Sequence, residues 1–297
     1  MNEATATKIL DQIAPTVARV GIGSLRGDGA FLCILKAALV KQYEFSQLVL
    51  ETDKSEFHFS ICSFLRGLCE DIIWLKYLNN APSEDRNRAI RYITDESIRT
   101  HVEKQSNFFS HHRPSQCVLR IREGAQSGEQ ETIKQEFDLL KSVYCFRGNK
   151  WPKVKEMAEK TKLLALYNYL YAVTSSTVHF SPRILGRMGW GDGRSHAFKF
   201  STGHFSEYYC SFNRFYSLYL LATFCTSFSA SLECRQDLEC HIEELIRLIE
   251  SENRWPESVT PEEMNYFQNP FKSLFSPYVV ASDIGMVHSI APHWEWA

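Results

Sequence analysis

Residues 28–52, DGAFLCILKAALVKQYEFSQLVLET, place Leu32, Leu35, Leu39, Tyr43, Phe45 and Leu48 at helical intervals. A second stretch, 55–79, SEFHFSICSFLRGLCEDIIWLKYLN, repeats the pattern with Ile61, Leu65, Leu68, Ile72, Leu75 and Leu78. Apolar residues recurring every three or four positions form one stripe on a helix, and that stripe must be buried against another element. Both stretches are therefore predicted amphipathic helices. Further helices are expected at 84–107, 127–144, 152–161, 163–180, 203–231 and 235–253. Ser127 with Gln130, and Thr260 with Glu263, fit the reciprocal side-chain cap of a helix start, and Ser83 is a further candidate cap. Pro15 is expected to break or kink the first segment. Only 195–202 alternates like a strand, and only briefly. The fold expected is all-α: a bundle of long antiparallel helices over 1–254, with an irregular extension over 255–297. That extension carries five prolines' worth of interruption from Pro256 to Pro292 and ends in Trp294 and Trp296, which are expected to dock on the bundle or on a partner.

The chain has 297 residues, with 33 Lys and Arg against 35 Asp and Glu, and 44% hydrophobic residues. Such a chain can bury a core, which excludes bulk disorder, and its balanced charge excludes a uniformly basic nucleic-acid binder. Nine cysteines occur without CxxC spacing, the pattern of buried free thiols in a reducing cytoplasm. The N-terminal residues lack the order of a secretory signal. The longest apolar run, Leu218 to Cys225, is far short of the roughly 20 residues that span a bilayer, so no membrane association is expected.

Chemistry is sought where polar residues stand in apolar helices. Arg66 and Glu70 are four apart, hence on one helix face, among Cys62, Cys69, Ile73 and Tyr77. Asn168, Tyr171, Ser175 and His179 run down one side of 163–180, opposite Leu166, Leu170 and Val173. His179 falls in the expected last turn, where the helix dipole favours a cationic ring. If the two stripes face one another, Arg66 would bind a phosphate, Glu70 would orient it, and His179 beside Ser175 would transfer a proton. The same residues equally suit a buried Arg–Glu–His network that only specifies the fold.

Arg66-Gly-Leu-Cys-Glu70 and Tyr171-Ala-Val-Thr-Ser175-Ser-Thr-Val-His179-Phe-Ser181 resemble the R-x-L-x-E and Y-x-x-x-S-x-x-x-H-x-S helices of the bacterial domain-of-unknown-function family 5677, across roughly 50–185. The resemblance implies an all-helical intracellular protein without an assigned activity. The family is similar in architecture to the HEPN group of helical toxins and defence ribonucleases, which implies an effector acting on RNA or a nucleotide. The arginine–histidine signature of that group occurs once, at Arg235 and His241, a spacing that composition alone produces about twice in such a chain. It lies among Glu233, Asp237, Glu239, Glu243 and Glu244, which would repel phosphate.

Charge is unevenly placed. Residues 147–199 carry ten cations against three acids, and 233–263 carry ten acids against three arginines. Trp151, Tyr167 and Trp190 are interleaved with the cations, and Arg147, Arg183, Arg187 and Arg194 are candidate anion-binding groups for RNA or a nucleotide. The alternative is mutual neutralisation of the two segments, within one fold or across a homodimer. The glycine-rich stretch from Gly186 lacks the Lys-Ser/Thr of a phosphate loop. No cofactor motif and no metal-ligand spacing is present; His111 and His112 have no partner ligand at helical distance. Two function classes remain: a helical effector acting as a ribonuclease or nucleotide-directed hydrolase, and a non-catalytic binding or assembly module with a partner protein.

Overall fold

A computed structural model describes residues 1–24, 27–52, 57–119, 126–146, 148–188 and 200–259. The elements are α1 (Glu3–Val20), α2 (Ala30–Glu51), α3 (His58–Ile61), α4 (Phe64–Asn79), α5 (Ser83–His112), α6 (Gln126–Val143), α7 (Val154–Lys160), α8 (Leu164–Val178), α9 (Pro182–Arg187), α10 (Ser206–Phe228) and α11 (Arg235–Glu250). There is no strand among the described residues, and the all-α architecture is as expected. Of the strand expected at 195–202, residues 195–199 lie outside the described residues and 200–202 form no strand. The cap expected at Thr260 also lies outside them, as do Trp294 and Trp296.

Helix α10 is the axis of the bundle. Phe212, Phe215, Leu218, Leu220, Leu221, Phe224 and Phe228 are all buried, so the helix is apolar on every side. A helix of that kind has to be surrounded. Helices α2, α3, α4 and α11 pack around it, and α1 closes the layer by lying on α2 and α11. Helix α4 in turn carries α7 and α8 on its outer side. Helix α5 rests on α2 and α4 and carries α6; beyond Ala89 most of α5 is exposed or half-buried.

The structure departs from the sequence reading at four places. Helix α1 runs uninterrupted through Pro15. Pro15 is on the exposed side, where the carbonyl that loses its amide partner meets water, while Ile13 and Val17 stay in the buried stripe. The single helix expected at 55–79 is two. The chain tightens at Cys62-Ser63, where Leu65 N donates to Cys62 O at 3.3 Å and Arg66 N to Ser63 O at 3.3 Å, three-residue bonds that interrupt the α pattern. The Ser63 hydroxyl donates to Ser60 O at 3.2 Å and helps satisfy the broken turn. Ser127 lies within α6 and does not precede it, and Pro82, not Ser83, occupies the cap position of α5.

Polar groups sit deep in the bundle at defined places. Arg214 is buried, with Nε donating to Val49 O at 2.9 Å and Nη2 to Leu50 O and Thr52 O at 3.1 and 3.2 Å. It thus satisfies the carbonyls that α2 leaves open at its C-terminus, and its charge suits the negative end of the helix dipole. Its Nη1 faces the Glu3 carboxylate of α1. The adjacent Asn213 donates to His58 O at 2.7 Å, which ties α10 to α3. Gln42 Nε2 donates to Leu68 O at 2.9 Å and joins α2 to α4.

Replacing Arg214 by Met strips the α2 terminus of its only buried charged donor among the described residues. The expected cost is about 3 kcal/mol. Replacing half-exposed Glu3 by Gln is expected to cost only about 0.5 kcal/mol, because water screens that pair. Urea denaturation of both variants checks the difference, and equal losses would remove the capping role from Arg214.

Candidate functional site

The two polar stripes lie on α4 and α8, and these helices pack side by side. The buried face of α8 is Tyr167, Leu170, Val173 and Thr174. Leu166, expected on that face, is only half-buried, and Asn168 is exposed. The seam is rotated by about one residue from the sequence reading, because an aromatic ring with a polar edge, Tyr167, fills the place where an aliphatic side chain was expected.

At the outer edge of the seam the Arg66 guanidinium is held from three sides. Its Nε donates to Glu70 Oε1 at 2.7 Å. Its Nη1 reaches Ser175 Oγ at 3.5 Å across the helix interface. Its Cζ lies 4.4 Å from the centroid of the Tyr171 ring, a cation–π contact. Tyr171 and Tyr167 have ring centroids 5.6 Å apart, so a short aromatic wall lies along the cation. The geometry follows from helical spacing. Positions 66 and 70 are one turn apart on α4, and 171 and 175 one turn apart on α8, so two adjacent helices present four side chains at one point.

The pair is partly open to water, with Arg66 33% and Glu70 25% exposed. The sealed Arg–Glu–His network considered from the sequence is therefore not what this seam contains. Burial works against the Arg66 charge, but the Glu70 hydrogen bond and charge, with Tyr171 and Tyr167, outweigh it and hold the guanidinium's pKa above the ordinary arginine value. Tyr167 is also raised, first by burial and then by the Glu70 charge. No hydrogen-bond partner among the described residues engages Arg66 Nη2, so that corner of the fork is available to an incoming acceptor.

His179 does not join this group. Helix α8 ends at Val178, and His179 is its C-cap, with extended backbone (φ −97°, ψ 164°). Its ring is exposed and makes no hydrogen bond to Arg66, Glu70 or Ser175. The cause is local. Ser181 caps α9, with its hydroxyl accepting from Ile184 N at 3.5 Å, and Pro182 opens that helix. The chain must leave the α8 path before Ser181 to make that start, since a residue preceding proline disfavours helical backbone.

Of the four arginines expected to bind anions, Arg147 and Arg194 lie outside the described residues, as does the side chain of Arg187. Arg183 is exposed on α9, and its Nη1 donates to Ser258 O at 3.4 Å. That carbonyl belongs to a segment laid across α8 and α10 by tyrosines. The Tyr169 and Tyr216 hydroxyls donate to Pro256 O at 2.8 and 3.0 Å, the Tyr208 hydroxyl to Glu257 O, and Trp255 packs on Phe215 and Tyr219. Arg235 of the arginine–histidine spacing pairs with Glu239 at 3.3 Å on α11 and is remote in sequence and fold from the α4–α8 seam. Asn213 and Arg214 precede the apolar run Leu218 to Cys225 with no motif to mark them; their strong burial is set by the helices that surround α10. The described residues contain no cluster of three or more metal-ligating side chains and no helix long and apolar enough to cross a membrane.

A model of a family of unknown function, DUF5677, matches residues 32–196. That span includes α4 and α8 and so all four residues of the seam. No curated protein and no solved structure matches the chain.

The thiols beside Arg66 provide a check on the seam. Burial pushes Cys62 and Cys69 up to about 12, with the charges of Glu70 and Asp71 adding to the effect at Cys69. A raised folded-state pKa means stability is fully present below the unfolded thiol's value, about 8.5, and is lost as pH rises through that value toward 12. Unfolding free energy should therefore fall steadily above pH 9. At pH 8 a thiol reagent should modify exposed Cys117, Cys145 and Cys240 rapidly, and Cys62 and Cys69 only once guanidinium is added. Modification of Cys69 at the rate of Cys117 would show the seam to be open where it is described as closed.

Proposed function

The chain belongs to the DUF5677 family, and on that premise we propose that its α4–α8 seam binds the phosphate of an RNA or a nucleotide. The observation that carries the reading is the posture of Arg66. Its guanidinium is fixed by Glu70 and backed by Tyr171, yet a third of the side chain remains in contact with water. A planar cation oriented in advance loses little entropy when it accepts a phosphate oxygen, and Tyr171, itself exposed at the edge, offers a face on which a base can stack. Glu70 keeps the fork turned outward. Ser175 supplies a hydroxyl within reach of the same ligand. The basic balance of residues 147–199 supports the choice of an anionic partner.

In the finer form of the proposal the protein is an effector of the toxin or defence type, and the seam is a ribonuclease or nucleotide hydrolase site. Arg66 then holds the phosphate and His179, exposed just beyond Ser175, exchanges the proton with the bound substrate and not with Glu70. An imidazole both accepts and donates protons, which the reaction requires of its catalytic group. A second reading is favoured by one specific observation, the absence of any hydrogen bond from His179 to Arg66 or Glu70. In that reading the seam only binds, and the protein is a recognition or assembly module.

The two are separated by three variants compared with wild type. Arg66→Lys retains the charge but not the fork, and should weaken binding of a short single-stranded RNA about tenfold with little change in melting temperature. Undiminished binding by Arg66→Lys and Arg66→Ala would remove the seam from the proposal. His179→Ala should bind RNA as the wild type does. If the site is catalytic, expression of wild type should arrest growth and fragment cellular RNA, and His179→Ala should do neither. Identical behaviour of the two would leave the binding module.

A further inference from the structure

A second cleft lies at the opposite end of α4. It has a volume of about 550 Å³ and is formed by the C-terminal ends of α4 and α10, the turn between α7 and α8, and the first turns of α11. Cavities of roughly 300–1,000 Å³ are the size that encloses small molecules. Lys76, Lys162 and Arg235 line it, against one carboxylate, Glu239, which is already engaged by Arg235 at 3.3 Å. The two lysines come from different elements, and neither has an ion-pair partner among the described residues. We infer that this cleft is an anion site, in which Lys76 and Lys162 together hold the phosphate or diphosphate group of a small molecule.

The case for Lys162 rests on its backbone. Helix α7 ends in a two-bond cap, with Leu163 N donating to Ala158 O at 2.8 Å and Lys162 N to Glu159 O at 3.2 Å. This cap requires a left-handed residue at the position Lys162 occupies, and φ there is +61°. Glycine ordinarily fills that position, because any other L-residue is disfavoured by about 1 kcal/mol. A lysine instead of glycine costs stability and places an ammonium group at the mouth of the cleft.

The case for Lys76 is its setting. It is half-buried in the last turn of α4. The helix dipole accounts for one cation at that place. It does not account for a second cation brought against it from the turn between α7 and α8. Burial, and after it the charge of Lys162, depresses the Lys76 pKa below the ordinary lysine value, as expected for like charges that share a space without a counter-ion. A doubly charged anion between them would reverse both penalties. The cleft also offers neutral donors. Asn80 contributes an amide and Ser229 a hydroxyl. These residues are all distinct from those of the Arg66 seam.

The same substitution should stabilise the empty protein and abolish the response to ligand. Lys162→Gly relaxes the left-handed turn and relieves Lys76, so its melting temperature without ligand should exceed that of wild type. Inorganic pyrophosphate, added at constant ionic strength to a hundredfold excess over its dissociation constant, should raise the wild-type melting temperature by about 5 °C. The shift should fall below about 1 °C in Lys162→Gly and in Lys76→Gln, and persist in full in Arg66→Ala. No shift in wild type, an undiminished shift in Lys162→Gly, or a shift abolished by Arg66→Ala would each overturn the assignment.

Discussion

Full enclosure of α10 is the constraint from which the remaining geometry follows. A helix with phenylalanine and leucine on every side leaves no face for water, so at least three neighbours must cover it. Apolar contact alone does not fix where those neighbours sit along the axis. The register is set by the two polar residues that the same helix carries inward. Arg214 reaches the last carbonyls of α2, and Asn213 reaches the backbone of α3. Each of these groups is costly to bury unpaired, so a sliding of α2 or α3 by one turn would strand several donors and acceptors at once. Gln42 continues the chain of constraints from α2 to α4 through Leu68 O. Arg66, two residues before Leu68, is positioned for α8 by this sequence of buried hydrogen bonds.

The Arg66–Glu70 pair is a different kind of interaction. At a third and a quarter exposed, with the arginine ahead of the glutamate, it contributes little to stability, on the order of 0.5 kcal/mol. A pair of that sort is more easily understood by orientation than by energy. Glu70 occupies Nε and Tyr171 covers one face of the guanidinium, which leaves its rotation restricted and its outer corner hydrated. Preorganisation at low energetic cost suits recognition of an anion, whereas a fold-specifying network is normally sealed and fully hydrogen-bonded.

Helical periodicity makes the bundle legible, and the order of apolar and polar residues on α4 and α8 points to the seam. What the sequence did not reveal were the places where tertiary packing overrides local preference. Pro15 is tolerated because its side of α1 faces water. The turn at Cys62-Ser63 exists because His58 must meet Asn213, a contact 155 positions away in the chain. His179 is expected in the last turn of α8 but is its C-cap, because the helix ends two residues earlier than 180 and the position of that end depends on how the next helix starts. A shift of that end by a few residues moves the ring from a shared helix face to an extended cap, and with it the difference between a hydrogen-bonded triad and an isolated imidazole. Lys162 was counted only as one of ten cations, because a left-handed cap residue is recognisable in sequence when it is glycine and not when it is lysine.

The two cationic places on α4 are ten residues apart, which along a helix is about 15 Å and nearly three turns. Ten residues do not return a side chain to the same face, so Arg66 looks across to α8 while Lys76 looks toward the α7–α8 turn and α11. A small anion therefore cannot engage both. The seam is flanked by an exposed tyrosine, which suits a flexible strand passing over it; the cleft, partly open to solvent, brings two lysines together over about 550 Å³, which suits a compact anion. Both sites use the same rigid helix, and α4 is gripped along its length by α2, α8 and α10. Occupancy of the proposed cleft would relieve repulsion at the C-terminal end of α4, and the Arg66 seam, nearly three turns away on another face, would be read independently of it.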